Sequence, residues 1–149
     1  MQIALWLHLL GVVVWVGGMF FAQVALRPSV QAIPPPLRLP LLVATMGRFF
    51  RWVGVAIAAI LGSGAWIIYA RGGLAAMGTS VHAMTGVGLV MVAIFVLIVM
   101  APYRRLVAAT REGAWPAAGE AMARIRQLIG LNLVLGLVTL TIALLGHGA

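Results

Sequence analysis

The first hydrophobic stretch of the chain, residues 3–26, constrains the fold more than any other feature. It reads IALWLHLLGVVVWVGGMFFAQVAL and contains no charged side chain. As a helix it extends about 36 Å, enough to cross a hydrocarbon core of ~30 Å. It lacks a basic leading segment and an evident cleavage site, so we expect a retained transmembrane helix.

The composition of the whole chain agrees with a membrane protein. Of its 149 residues 64% are hydrophobic and 8% are charged, whereas soluble domains carry ~25% charged residues. The net charge of +8 comes entirely from arginines that flank apolar stretches, a pattern that favours lipid contacts and excludes nucleic acid as the expected partner. The absence of cysteine excludes disulfides and thiolate metal sites.

Three more apolar stretches follow, and together the spans are residues 3–26, 52–70, 81–101 and 128–145. Arg27-Pro28 is expected to stop the first span, and the proline-rich residues 29–40 predict a stiff connector before a helical pattern from Leu41. A basic loop is expected after Pro102. The sequence therefore predicts one all-α domain, residues 1–149, folded as a four-transmembrane-helix, up-down-up-down bundle.

Arginine counts predict the orientation of this bundle. Nine arginines lie in or beside the connectors between spans one and two and between spans three and four, and Arg71 alone lies between spans two and three. Because basic connectors stay on the cytoplasmic side, we expect both termini to be periplasmic and the protein to lie in a bacterial inner membrane.

Small residues predict where the helices approach one another. Gly54, Ala58 and Gly62 recur every four residues along span two, and Gly11 and Gly18 are seven residues apart on span one. Such spacings place small side chains on one helix face, where they permit close packing.

The histidines carry the strongest functional signal. His8 and His82 lie at similar depths near the starts of two parallel spans, while His147 lies on the same side near the C-terminus. An ionisable side chain inside a span is costly and often functional. Two imidazoles at one level predict a metal centre, although each histidine bonding to a neighbouring backbone group is the simpler alternative.

Two metal centres fit the surrounding residues. Copper(I) favours imidazole and thioether ligands, which His8, His82 and Met84 would supply. A b-type haem needs two axial imidazoles and space, which Gly11 and Gly86 would give beside the histidines. Arg71, expected on the same side, suits a haem propionate and repels a copper cation, so the residues favour haem.

These alternatives imply different functions. A haem held by His8 and His82 predicts electron transfer, with quinol or a periplasmic protein as partner. Copper binding predicts copper homeostasis or resistance, with transport requiring a homodimer or a second protein. A structural subunit without a cofactor is the third alternative. No acidic or lysine side chain lies within a span, and Asn132 is expected to bond between helices.

Several segments resemble the CopD family of bacterial copper-resistance membrane proteins. They are LHLLGVVVWVGGMFF followed by VALRP, VHAMTGVGLVMVAIF with APYRR, and IGLNLVLGL. The resemblance covers nearly the whole chain and implies copper uptake or tolerance, with His8 and His82 as the matching site residues. The fold is also similar to membrane b-type cytochromes and to HemJ-type protoporphyrinogen oxidases, whose expected third-helix lysine is missing here.

Overall fold

The computed structural model describes residues 1–146 as helices joined by short connectors. The α-helices are α1 (Gln2–Phe21), α2 (Arg27–Val30), α3 (Pro35–Ala70), α4 (Thr79–Met100), α5 (Pro102–Arg111) and α6 (Trp115–Leu145). A π-helical turn, Ala22–Leu26, joins α1 to α2, and a 3-10 turn, Leu74–Ala76, precedes α4. His147 lies outside the described residues, so the expectation for it stays a prediction.

Four segments of the described chain are long and apolar enough to cross a membrane. They are Gln2–Val30, Pro35–Ala70, Thr79–Arg111 and Trp115–Leu145. Their outward faces expose large apolar side chains such as Trp6, Val13 and Val96, as a lipid-facing surface requires. The prediction of an all-α, four-span membrane protein is confirmed.

Because successive spans run in opposite directions, the bundle has two chemically different ends. We call the end where α1 and α4 begin the His end, because it contains His8 and His82. The opposite end, with α2 and α5, is called the Arg end, because nine of the ten arginines lie in that half. A cytoplasmic location of the Arg end stays a prediction.

The first span does not stop at Arg27-Pro28 as predicted. The backbone N–H of Arg27 donates to the carbonyl oxygen of Ala22, five residues back, which widens the turn directly before Pro28. Proline lacks an N–H and its ring crowds the carbonyl four residues earlier, so a wide turn accommodates it without ending the helix. The chain therefore stays helical to Val30.

The helix of span two begins earlier than the sequence predicts. Pro35 and Pro36 occupy the first turn of α3, where a backbone N–H has no partner within the helix. Pro40 lies inside the helix, which continues to Ala70 and reaches 36 residues. The predicted stiff connector is thus reduced to the short turn between α2 and α3.

The basic segment after span three is a helix, not the loop predicted. Pro102 occupies the start of α5, and Leu106 and Ala109 are buried on one side of it. Arg104 and Arg111 are exposed on the other side. An amphipathic pattern of this kind lets α5 pack on α6 while its charges reach solvent.

Aromatic rings connect the helices at the centre of the bundle. Trp15 of α1 meets Phe95 of α4 edge-on, with ring centroids 6.4 Å apart. Phe50 of α3 contacts both Phe95 and Tyr103 in the same manner, at 6.0 and 5.1 Å. These contacts join α1 and α3 to α4 and α5.

The two predicted glycine faces have different outcomes. A Cβ added to Gly11 would lie 2.7 Å from Cγ1 of Ile60, and one added to Gly18 would overlap the ring of Phe49, so this face packs closely against α3 as predicted. A Cβ added to Gly54 or Gly62 would meet no atom within 4 Å. The prediction for the second face is wrong, because the buried side of α3 lies elsewhere around the helix.

Candidate metal-binding site

His8 lies on the side of α1 that faces the bundle. The buried residues of α1 are Gly11, Trp15 and Met19, and His8 continues their spacing of three to four residues. Its side chain is half-buried, close to the His end. Helix periodicity therefore directs this imidazole toward α3 and away from lipid.

Hydrogen bonds fix the tautomer of His8. Its Nδ1 lies 3.2 Å from the carbonyl oxygen of Ile60 and 3.2 Å from Oγ of Ser63. A carbonyl oxygen accepts only, so Nδ1 carries the proton and donates it. The Ser63 hydroxyl donates to the carbonyl of Ala59, which leaves its lone pairs available to His8. The neutral ring then presents an unprotonated Nε2, the form that binds metal ions.

The space expected beside His8 for a flat cofactor is filled by α3. The Cβ position of Gly11 lies 2.7 Å from Ile60 and 2.9 Å from the carbonyl oxygen of Ala56. On the other side, the Cβ position of Gly64 lies 3.4 Å from Cε1 of His8. Gly11 therefore serves helix packing, and the predicted room for a haem at this residue is absent.

His82 has a different environment from His8. It is exposed, and it precedes the half-buried Met84 by two residues, or about 200° around the helix. Met84, Gly88 and Met91 lie on the inward side of α4, so His82 points away from it. Its Nδ1 lies 3.0 Å from the carbonyl oxygen of Gly78, an acceptor, so Nδ1 donates this bond and Nε2 is the ring nitrogen left to face solvent.

Contacts between the helices relate the depths of the two histidines. The Cβ position of Gly136 lies 3.0 Å from Val16 of α1 and 3.3 Å from Met91 of α4, which sets these two residues at one level. His8 precedes Val16 by eight residues, and His82 precedes Met91 by nine. The ring contact between Trp15 and Phe95 gives a larger offset, about 9 Å along the axis. The depths of the two histidines along the bundle axis thus differ by no more than about two helical turns.

The other predicted site residues lie at the same end. Arg71 is exposed at the C-terminal end of α3, where its backbone N–H donates to the carbonyls of Ile67 and Ile68. Gly86 is exposed on α4, and a Cβ there would meet no atom within 4 Å. Neither residue is brought against His8 by a hydrogen bond, so their predicted role in holding a cofactor stays a prediction.

An open groove of about 540 Å³ lies between α1 and α3 at the His end. It is lined by Met1, Ile3, Ala4, Leu7, Ala58, Ala59, Gly62, Ser63 and Trp66. The described residues hold no cluster of conventional metal ligands. Within residues 1–146, no three His, Cys, Asp or Glu side chains lie close enough together to hold a metal ion. A metal at this end would therefore depend on imidazole and thioether ligands.

Sequence reasoning did not single out Ser63, the side-chain partner of His8. Ser63 is buried, and its hydroxyl donates a hydrogen bond to the carbonyl of Ala59, four residues earlier in the same helix. Because spans one and two are antiparallel, the start of α1 lies beside the end of α3. This pairing is the feature from which Ser63 could have been predicted as a partner of His8. Asn132 bonds between helices as expected, through Nδ2 to the carbonyl of Met91, whereas Thr139 bonds within α6.

A four-span membrane bundle with a half-buried histidine at one end is the class of protein that the fold and site define. A family model described as CopD, copper resistance protein D, matches residues 43–145, well over half of the chain. The chain therefore belongs to the CopD family. The matched segment contains His82 and Met84, whereas His8 precedes it. No curated protein and no solved structure matches the chain.

Proposed function

We propose that this protein binds copper(I) at the His end of its membrane bundle, as part of copper handling. The observation that carries the proposal is the bond from Nδ1 of His8 to the carbonyl oxygen of Ile60. This bond holds the ring in the tautomer whose Nε2 binds metal, and backbone carbonyls support many metal-binding histidines in the same way. The family description, copper resistance protein D, supports copper as the metal.

The residues at the His end suit copper(I) better than a harder cation. Copper(I) prefers imidazole and thioether ligands, whereas calcium and magnesium require several oxygen ligands. Met77 and Met84 lie toward the His end, whereas both acidic residues of the chain, Glu112 and Glu120, lie at the Arg end. Met84 lies on the inward side of α4, and the same two helix contacts place it within about one helical turn of His8 in depth, so we assign His8 and Met84 as the inner ligands.

His82 has a separate role in this proposal. It is exposed at the beginning of α4, and its Nδ1 is engaged by the carbonyl oxygen of Gly78, so Nε2 is the nitrogen that an incoming metal ion would reach. An exposed imidazole receives a metal ion more easily than a half-buried one. We therefore assign His82 to the first capture of copper, which then passes to His8 and Met84. Transfer across the membrane would require a second copy or a partner protein.

A b-type haem, favoured from the sequence, has less support. Its axial ligands would be His8 and His82, with Arg71 near a propionate. The Cβ position of Gly11 is already 2.7 Å from Ile60, so α3 occupies the space at Gly11 that the haem hypothesis assigned to the macrocycle. The family description also names copper and not haem. Electron transfer through quinol is correspondingly a secondary hypothesis.

Competition with a coloured copper(I) chelator tests the proposal. Detergent-purified protein is titrated with copper(I) bicinchoninate without oxygen, beside the variants His8→Gln, His82→Gln and Met84→Leu. Removal of an inner ligand should weaken copper(I) affinity at least about tenfold, because replacing a residue that only supports a metal ligand already lowers metal affinity by about that factor. His82→Gln should slow loading more than it weakens binding.

Thr141→Val provides the matched control. The hydroxyl of Thr141 is exposed and bonds within α6 to the carbonyl of Leu137, so its removal deletes a polar group at the His end whose hydrogen bond involves neither His8 nor His82. This variant should bind copper as the wild type does. Equal affinities for the wild type, His8→Gln and Met84→Leu would overturn the proposed site.

A further inference from the structure

A second cavity, of about 90 Å³, lies at the Arg end, far from both described histidines. It is enclosed by the π-helical turn after α1, by α2, by the first turns of α3 and by the first half of α6. The π-helical turn contributes Ala22, Gln23 and Leu26 to its wall. Such turns inside α-helices often occur at functional sites.

Three arginines line this cavity without an acidic partner. They are Arg27, Arg38 and Arg126, and no Asp or Glu is among the lining residues. Arg38 and Arg126 are half-buried, and Arg27 and Arg38 are close enough to repel the charge of Arg126. Three like charges around one cavity are unfavourable unless an anion joins them.

Hydrogen bonds hold the wall of the cavity in place. Nε2 of Gln23 donates to the carbonyl oxygen of Arg126 over 2.6 Å, which ties the π-helical turn to α6. Nη1 of Arg38 donates to the carbonyls of Gln31 and Ile33 at 3.4 and 3.3 Å. These bonds hold Arg38 at the turn between α2 and α3, while its other N–H groups stay available to a ligand.

Most of the remaining wall of the cavity is apolar. Leu39, Leu42 and Met46 of α3 face Met122 and Ile129 of α6 across it. Guanidinium groups beside apolar side chains match an amphiphile, whose charged group meets the arginines while the start of an acyl chain contacts the apolar wall. Arginine is well suited to such a group, since its planar fork binds phosphate through paired hydrogen bonds.

We infer that this cavity binds a phosphate group through Arg27, Arg38 and Arg126, supplied by an anionic phospholipid headgroup or by soluble phosphate. The apolar wall favours the phospholipid. Basic pockets between membrane helices bind anionic headgroups by the same chemistry. This site is independent of copper binding, because it lies at the other end of the bundle.

Native mass spectrometry of the full chain in detergent tests the inference. The protein is offered an equimolar mixture of phosphatidylglycerol and phosphatidylcholine with identical acyl chains, and separately inorganic phosphate. We expect one phosphatidylglycerol to be retained in preference to phosphatidylcholine. Arg38→Gln and the exposed Arg27→Gln should each weaken this binding about tenfold, the effect of losing one charge-assisted hydrogen bond.

Arg111→Gln is the matched control, since this arginine is exposed on α5 and does not line the cavity. It should retain phosphatidylglycerol as the wild type does. Retention of inorganic phosphate alone, lost in Arg27→Gln, would identify soluble phosphate as the source. Equal binding of both lipids without phosphate binding, or equal losses in Arg27→Gln and Arg111→Gln, would overturn the inference.

Discussion

The side-chain amide of Asn132 donates a hydrogen bond to the backbone carbonyl of Met91, 3.1 Å away, and so joins α6 to α4. Asn132 is 1% exposed, and its Oδ1 has no hydrogen-bond partner among the described residues. The same side chain thus makes one bond between helices and buries one unpaired acceptor. These two effects on stability oppose each other.

Replacing Asn132 by leucine should change the free energy of unfolding by less than about 1 kcal/mol. Hydrogen bonds between membrane helices contribute about 0.6 kcal/mol on average, and removal of the unpaired Oδ1 offsets that loss. Asn132→Asp is the contrasting variant and should lower the free energy of unfolding by about 2.5–3.5 kcal/mol, because it places an acidic side chain within a membrane span. Unfolding in detergent measures both, and a larger loss for leucine than for aspartate would contradict the prediction.

Gly11→Ala should destabilise the bundle by about 1–3 kcal/mol, the usual cost of overpacking. The added Cβ would lie 2.7 Å from Ile60 and 2.9 Å from the carbonyl of Ala56, so α1 and α3 must separate. Gly17→Ala is the control, since a Cβ there meets no atom within 4 Å. The midpoint temperature of unfolding should fall for Gly11→Ala and not for Gly17→Ala. Equal midpoints for the two variants would refute close packing at Gly11.

The predicted orientation can be tested with single cysteines, because the natural chain contains none. Ala76 lies in the connector at the His end and Glu112 lies at the Arg end, so each is replaced by cysteine in a separate variant. With the His end periplasmic, a maleimide that cannot cross membranes should label Ala76→Cys in intact cells and Glu112→Cys after permeabilisation. The reverse pattern would show the opposite orientation.

An absorption spectrum separates the copper proposal from the haem hypothesis. Protein purified from cells that produce haem, and then reduced with dithionite, should show no Soret, α or β band. The reason is that α3 fills the space beside His8 at Gly11. A reduced b-type spectrum that disappears in His8→Gln would establish haem and displace copper as the bound cofactor.

The four spans follow directly from the sequence, because uncharged stretches of this length have few alternatives to crossing a bilayer. The proline effects were harder to predict. Pro28 lies in a continuous helix because the preceding π-helical turn accommodates its ring, a backbone adjustment that the residue pattern does not reveal. Likewise, α5 is stabilised by packing Leu106 on α6, a tertiary contact that its arginines conceal in the sequence.

The candidate site was predictable in part. His8 is conspicuous as an imidazole inside an apolar span, but its partners lie more than fifty residues away on α3. His82 and Met84 are two residues apart, and their opposite directions follow from helix geometry. Which of the two faces the bundle depends on the packing of α4 against α6, and spacing alone does not determine it.

The 36 residues of α3 extend about 54 Å, whereas the hydrocarbon core is ~30 Å thick. The helix is therefore longer than the core is thick, and its proline-rich start lies at the Arg end. The start of α6 and the amphipathic α5 accompany it there, around the buried Leu39 and Leu106. The surplus length therefore builds the Arg end from ordered helices, and a molecule approaching from that side first meets helix walls carrying arginines.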